Sequence, residues 1–245
     1  MNFDNLAFTK QLPDKGLYIQ EGFLDVEECE YIVSLIENYR KVHQVPHIYR
    51  RRHDRSLDYK VIDGEVVARY FPDVEQLYRT VNELINQKRN QDLVPLADRR
   101  VGCNINITQP GGEYRWHYDR NLMTGIVYLN DVDGGETECY PNYRMYIEKF
   151  RFSCLQRSLD SLFQLRIVRL LFGKKILIKP KQGKLVLMYG NKCLHSVRLV
   201  LGDVDRITLI FSYDLPDTQF SIEQQLDAYL YESQQRFNSL RDPNY

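Results

Sequence analysis

Residues 114–119 run Tyr114-Arg115-Trp116-His117-Tyr118-Asp119, and the architecture of the chain turns on how this stretch is read. As a β-strand it sends residues i and i+2 to one face, so His117 and Asp119 project together. An imidazole nitrogen beside a carboxylate oxygen supplies two thirds of a 2-His-1-carboxylate set. Such a set holds non-haem Fe(II) by one face and leaves coordination positions open. His-x-Asp also recurs by chance as a surface pair on a turn. His195, on a second strand-like run, and Arg206, opening a third, are what raise the metal reading above that alternative.

Outward from this strand, the apolar periodicity is two from Val101 onward. Expected strands are 102–108, 114–119, 124–130, 136–140, 184–189, 194–200 and 206–213. They are separated by Pro110-Gly111-Gly112, Asp131 to Gly135, Pro180 to Gly183, and Gly202-Asp203. Many short strands with Gly/Pro punctuation predict a sandwich or barrel. Residues 143–173 interrupt it. There Leu155, Leu159, Leu162, Phe163, Ile167, Leu170 and Leu171 follow helical spacing, which predicts an amphipathic helix burying a leucine-rich face.

Upstream the period is that of helices. Residues 17–24 are expected as a short strand entering a helix capped by Asp25, with Glu28 at the capping-box position and Cys29, Ile32, Val33 and Ile36 facing the core. Tyr49 to Arg55 is too polar to pack and is expected as a solvated basic loop, with a grip on an anionic substrate as the functional alternative. Asp63-Gly64 signals a hairpin within 59–68. Asp73 opens a second helix with Val74, Leu77, Tyr78, Val81, Leu84 and Ile85 inward, and Ser221 with Gln224 caps a C-terminal helix over 218–240.

At 245 residues, 43% hydrophobic and 27% charged, the chain is expected as one domain, residues 1–245: a helical N-terminal region over residues 1–100, a β core over 101–214 with the 143–173 insertion, and the C-terminal helix. Lys+Arg equal Asp+Glu at 33 each, so no global charge draws it to nucleic acid. Five scattered cysteines without a Cys-x-x-Cys pair predict reduced thiols and a cytoplasmic location. No basic-then-apolar leader is visible at the N-terminus, and no uncharged apolar run reaches the roughly 18 residues that span a bilayer. Between Arg144 and Lys184, however, eleven Lys/Arg stand against Glu148 and Asp160. That basic amphipathic insertion is expected as a lid or docking surface, with an anionic substrate, a homodimer partner or a peripheral membrane contact as its candidate partners.

The chain resembles the prolyl-4-hydroxylase type of the 2-oxoglutarate/Fe(II) dioxygenases. The resemblance is carried, in order, by FLDVEECEYI, HYD, GIVYLNDVDGGET, KPKQGKLVLMYGNKCLHSV and the Arg206-Ile207-Thr208 strand. It implies a mainly β, α+β fold: a double-stranded β-helix, or jelly roll, with N-terminal helices packed on one sheet. Position by position it makes His117, Asp119 and His195 the iron ligands. Arg206 becomes the partner of the distal carboxylate of 2-oxoglutarate, since a guanidinium fork suits a carboxylate. Thr208 and Tyr128 are implied as further donors to that carboxylate. Gly134-Gly135-Glu136-Thr137 matches a turn that needs glycine.

The implied cofactors are Fe(II), 2-oxoglutarate and O2, with ascorbate as reductant. Relatives that halogenate lack the carboxylate ligand, so Asp119 implies hydroxylation. Two departures stand out: Arg206 lies eleven residues beyond His195, implying a longer turn at Gly202-Asp203, and the 143–173 insertion is large. Each residue also has an ordinary reading: His195 as a core histidine, Arg206 in a surface ion pair with Arg198 as the alternative anchor, Cys193 as packing, Glu113 and Asp131 as turn residues. The expected activity is hydroxylation of a small-molecule or amino-acid-like substrate. The alternatives are prolyl hydroxylation of a protein or peptide, and a catalytically silent metal- or 2-oxoglutarate-binding sensor.

Overall fold

The alternating apolar pattern after Val101 produces strands that are covered on both sides. In the computed structural model, which describes residues 3–50, 56–89, 92–145, 154–216 and 218, the chain begins with α1 (Asn5–Lys15), β1 (Leu17–Gln20), α2 (Val26–Val42), β2 (His47–Arg50), β3 (Leu57–Ile62), α3 (Gly64–Tyr70), α4 (Pro72–Arg89), β4 (Val94–Pro95) and α5 (Arg99–Gly102). It continues with β5 (Cys103–Thr108), β6 (Tyr114–His117), β7 (Met123–Tyr128), β8 (Thr137–Tyr140), α6 (Cys154–Gln164), α7 (Arg166–Phe172), β9 (Ile176–Ile178), β10 (Leu185–Met188), β11 (Leu194–Val197) and β12 (Arg206–Asp214).

Two antiparallel sheets result. The larger has the order β1-β10-β7-β12-β5-β3-β2, with β4 also pairing β12; the smaller is β6-β11-β8-β9. This is the expected jelly-roll layering, built as two separate sheets rather than a closed barrel. Strand β7 shows why the sequence alternates as it does. Val127 and Leu129 point to one side, into a core shared with Phe8, Leu12, Ile36, Val81 and Ile85 of the helices. Ile126 and Tyr128 point to the other and meet Cys139, Ile178 and Cys193 of the small sheet. Burying each such aliphatic side chain contributes on the order of 1.5–3 kcal/mol, so the large sheet is held from both faces.

The start of α2 is as expected: Glu28 N–H donates to Asp25 Oδ1 at 2.7 Å and Asp25 N–H to Glu28 Oε2 at 3.0 Å. The inward stripes of α2 and α4 are also buried as expected, with Val33 and Leu84 only partly so. Asp63-Gly64 is different. Asp63 Oδ1 accepts from Glu65 and Val66 N–H, so the pair begins α3 instead of turning a hairpin. The elements α1, α5, β2, β4 and β9 come without forewarning, and Tyr49-Arg50, expected in the basic loop, ends strand β2. Residues 51–55 of the basic loop and the proposed C-terminal helix beyond residue 218 lie outside the described residues.

The insertion departs most. Its expected single helix is two, and its described residues cover the outer face of the small sheet, where Trp116, Tyr140 and Leu194 lie, opposite the face that carries His117 and His195. Tyr143 Oη donates to Phe163 O, and Arg144 pairs Asp160 at 2.5 Å. Most of the predicted inward stripe is exposed instead: Leu155, Leu162, Ile167, Leu170 and Leu171 face out, while Gln156 and Arg169 are buried.

Candidate metal centre

β6 delivers His117 at its last residue, and Asp119 follows just past the strand end, its N–H held by Gly190 O at 3.1 Å. β11 delivers His195, which is directly opposite His117 in register. The strand pairing thus brings both imidazoles together, with ring centroids 4.1 Å apart. Asp119 Oδ1 lies 3.3 Å from His117 Nε2, and its Oδ2 lies 3.7 Å from His195 Nε2. One donor atom from each residue falls within 4.8 Å of the others, a spacing able to hold a metal ion.

The protonation pattern suits that use. Each Nδ1 sits on a backbone carbonyl two residues back, His117 on Arg115 O at 2.9 Å and His195 on Cys193 O at 3.0 Å. A carbonyl only accepts, so each Nδ1 carries a proton, and Nε2 is the nitrogen turned toward Asp119. Burial, together with the neighbouring His117, pushes His195 down to about 4, so it is neutral near pH 7. Burial opposes charge on Asp119 as well, yet His195, the hydrogen bond and charge of His117, and the Thr124 hydroxyl hold it well below the usual carboxylate range. Two imidazole nitrogens and one carboxylate form the hard-to-borderline donor set that suits Fe(II).

Asp119 is steered by groups that the spacing alone did not single out. Thr124 Oγ1 donates to Asp119 Oδ2 at 2.5 Å and accepts from Asn121 Nδ2 at 2.9 Å. Gly190 leaves the room: a Cβ there would stand 2.8 Å from Asp119 Cβ and 2.4 Å from Thr124 Oγ1.

Arg206, the first residue of β12, is buried and lines the same cavity as the three candidate ligands. Its Nη1 donates to Thr208 Oγ1 at 3.3 Å and its Nη2 to Thr137 Oγ1 at 3.2 Å, and the Tyr128 ring lies 5.0 Å from its Cζ. Tyr128 Oη in turn bonds Thr137 at 2.6 Å. Tyr128 and Thr208 therefore brace the guanidinium from behind, and Thr137, missed in the sequence, shares the cavity wall. Arg206 Nε is buried without a hydrogen-bond partner in the chain. The Gly134-Gly135 turn gives it space. Both glycines have positive φ, and a Cβ on Gly135 would come within 2.9 Å of Arg206 Cδ.

The ordinary readings hold elsewhere. Arg198 is half exposed beside Glu136 and does not line the cavity; Glu113 and Asp131 accept backbone N–H groups in turns, and Cys193 packs in the inter-sheet core. The longer turn at Gly202-Asp203 is present, with Gly202 at φ +72.

Two facing antiparallel sheets with a His-Asp-His cluster and a buried arginine in one cavity make a jelly-roll fold with a site able to hold a metal ion. Residues 103–213 match the model of the 2OG-Fe(II) oxygenase superfamily. Among solved structures it is similar to a Pseudomonas putida prolyl-4-hydroxylase, at 18% identity and TM-score 0.54, over 86% of this chain and 99% of that one. It is also similar to a Trichoplax adhaerens prolyl hydroxylase in complex with a hypoxia-inducible-factor peptide fragment, at 17% identity and TM-score 0.60, over 86% and 88%. HygX from Streptomyces hygroscopicus, with nickel and 2-oxoglutarate bound, aligns at 15% identity and TM-score 0.60, over 92% of each chain. No curated protein matches the sequence.

Proposed function

We propose that the protein is an Fe(II)- and 2-oxoglutarate-dependent hydroxylase in which His117, Asp119 and His195 are the metal ligands and Arg206 anchors the distal carboxylate of 2-oxoglutarate. The observation that carries this reading is a single cavity lined by two imidazoles, a carboxylate between them and a buried arginine with an unpartnered Nε. Bound there, Fe(II) and 2-oxoglutarate would supply oxygen activation coupled to loss of CO2 and formation of succinate, chemistry no side chain provides.

The chain's own contribution is positioning. The Nδ1–H bonds to Arg115 O and Cys193 O fix each imidazole ring plane. Thr124 holds one oxygen of Asp119 and so sets the direction of the other. Thr137 and Thr208 orient the guanidinium fork, which grips a carboxylate through charge-assisted hydrogen bonds. Burial of Arg206 excludes competing water and strengthens that grip.

The substrate we propose is a small polar or amino-acid-like molecule. The remaining cavity wall offers Asn104, Asn106, Arg120, Asn121 and Ser212, side chains that recognise hydroxyl, amide or carboxylate groups. The test has two arms. Titrating 2-oxoglutarate into anaerobic Fe(II) protein should raise the visible charge-transfer absorption of chelated iron, and His117→Ala should abolish it. A succinate-release screen over amino acids, polar small molecules and proline peptides, with ascorbate present, then identifies the substrate class. Absence of the absorption band in the unaltered protein would overturn the metal assignment. Stimulation by proline peptides alone would overturn the substrate class.

A further inference from the structure

Helix α7 is inside out. Of its seven residues, Arg169 is the one turned inward, only 4% exposed, with its guanidinium carbon 4.1 Å from the centre of the Trp116 ring. Ile167, Leu170, Leu171 and Phe172 are 68–72% exposed. Leu165 before the helix and Leu177 on the edge strand β9 extend the apolar ridge. A soluble surface of this size ordinarily turns such residues inward and leaves the arginine in water. Here the cation–π stack and the Arg144–Asp160 and Tyr143–Phe163 contacts hold the reversed orientation in place.

The ridge is rimmed by positive charge. Arg166, Lys174, Lys175, Lys179 and Lys181 are exposed around it, whereas Glu138 already pairs with Lys175 and Asp160 with Arg144. An apolar strip flanked by cations with their stems free matches a layer of anionic headgroups above acyl chains. A second copy of the chain fits less well, since a two-fold contact through this face would set the same cations against one another. No helix among the described residues is long and apolar enough to cross a membrane, so the contact would be peripheral.

We infer that the α7–β9 face docks the protein on anionic lipid bilayers, with Leu170, Leu171 and Phe172 entering the headgroup boundary and Lys174, Lys179 and Lys181 bound to lipid phosphates or carboxylates. The site bearing His117 and His195 lies on the opposite face of the small sheet, so docking leaves its cavity uncovered.

The experiment is co-sedimentation of the full chain with phosphatidylserine-containing vesicles and with vesicles of phosphatidylcholine alone. Binding is expected on the former, weakening as salt screens the lysines. Neutralising Lys174, Lys179 and Lys181 should lower partitioning by about 5-fold per lysine. Replacing Leu170, Leu171 and Phe172 by Ser should abolish it. All six positions are exposed, and circular dichroism together with the 2-oxoglutarate titration confirms that each variant is folded. Failure of the unaltered protein to bind anionic vesicles would overturn the inference. So would binding that survives the serine substitutions, or a solution dimer that those substitutions convert to monomer.

Discussion

Arg206 bonds Thr137 and Thr208 through its two terminal nitrogens and leaves Nε, buried, without a partner. A buried donor left unsatisfied is costly, and an incoming carboxylate relieves that cost as it binds. Arg206→Ala should therefore weaken 2-oxoglutarate binding by about 1.5–3 kcal/mol, roughly 10- to 150-fold, measured by titration of the Fe(II) protein. An unchanged affinity would put the anchor elsewhere. Thr124→Val removes the hydroxyl that holds Asp119 Oδ2 while keeping the volume close. Loss of such a supporting bond typically costs about 10- to 100-fold in metal affinity, to be read by Fe(II) or Co(II) titration. That His117, Asp119, His195 and Arg206 would meet in one cavity was legible in the sequence, because strand geometry restricts spacing. Thr124, Thr137, Asn121 and Gly190 were not, because their roles arise only from tertiary placement. Thr137, for example, sits opposite Val197 and Ile178 in the sheet, and nothing in its local sequence says that Arg206 will reach it.

Among the elements, the strands β5 to β8 and β10 to β12 announced themselves, since burial on alternating faces leaves a period of two that local sequence records. The helix starts were ambiguous where two structures use the same chemistry. Asp-Gly serves a hairpin turn, but Asp is equally an N-cap, and at Asp63 the three residues Glu65 to Val67 continue as a helix. Asp63→Ala should remove both capping bonds and lower stability by about 1 kcal/mol, readable as a shift in the urea midpoint. Gly64→Ala should be worse, because a Cβ there would stand 1.9 Å from Arg99 O, with backbone on both sides of the clash. If the alanine at 64 proved milder than the one at 63, the close packing of α3 on α5 would be wrong. The insertion teaches the complementary point. Periodicity revealed that its helices are amphipathic, but not which stripe faces the barrel, because an arginine stacked on Trp116 can replace leucines as the inward contact.

At the scale of the whole molecule, the two-layer interior is closed by phenols and thiols that cannot ionise cheaply. Burial, with Asp4 adding to it, pushes Tyr18 up to about 12, and burial raises Cys29 to about 11. Tyr78, Tyr213 and Cys103 are likewise raised by burial. In the unfolded chain these thiols ionise near pH 8.5 and these phenols near pH 10. A raised folded-state pKa means the folded form holds its protons longer, so the contribution is fully present below the unfolded pKa and is lost as pH rises beyond it. Stability should thus be level around neutrality, begin to fall near pH 9 and fall steeply above pH 10. Each such group adds a slope of up to about 1.4 kcal/mol per pH unit until its folded-state pKa is reached. Tyr78 offers a clean test, because its hydroxyl donates to Ser212 O at 2.6 Å and accepts from Leu96 N–H at 3.1 Å. Tyr78→Phe should cost about 1–3 kcal/mol at pH 7 through those lost bonds. That variant has one fewer group to ionise on unfolding, so its deficit relative to the unaltered protein should shrink between pH 9.5 and pH 11 as measured by urea denaturation. A deficit that stayed constant across this range would show that Tyr78 ionises equally in both states, and the dry seam between α4 and β12 would not exist.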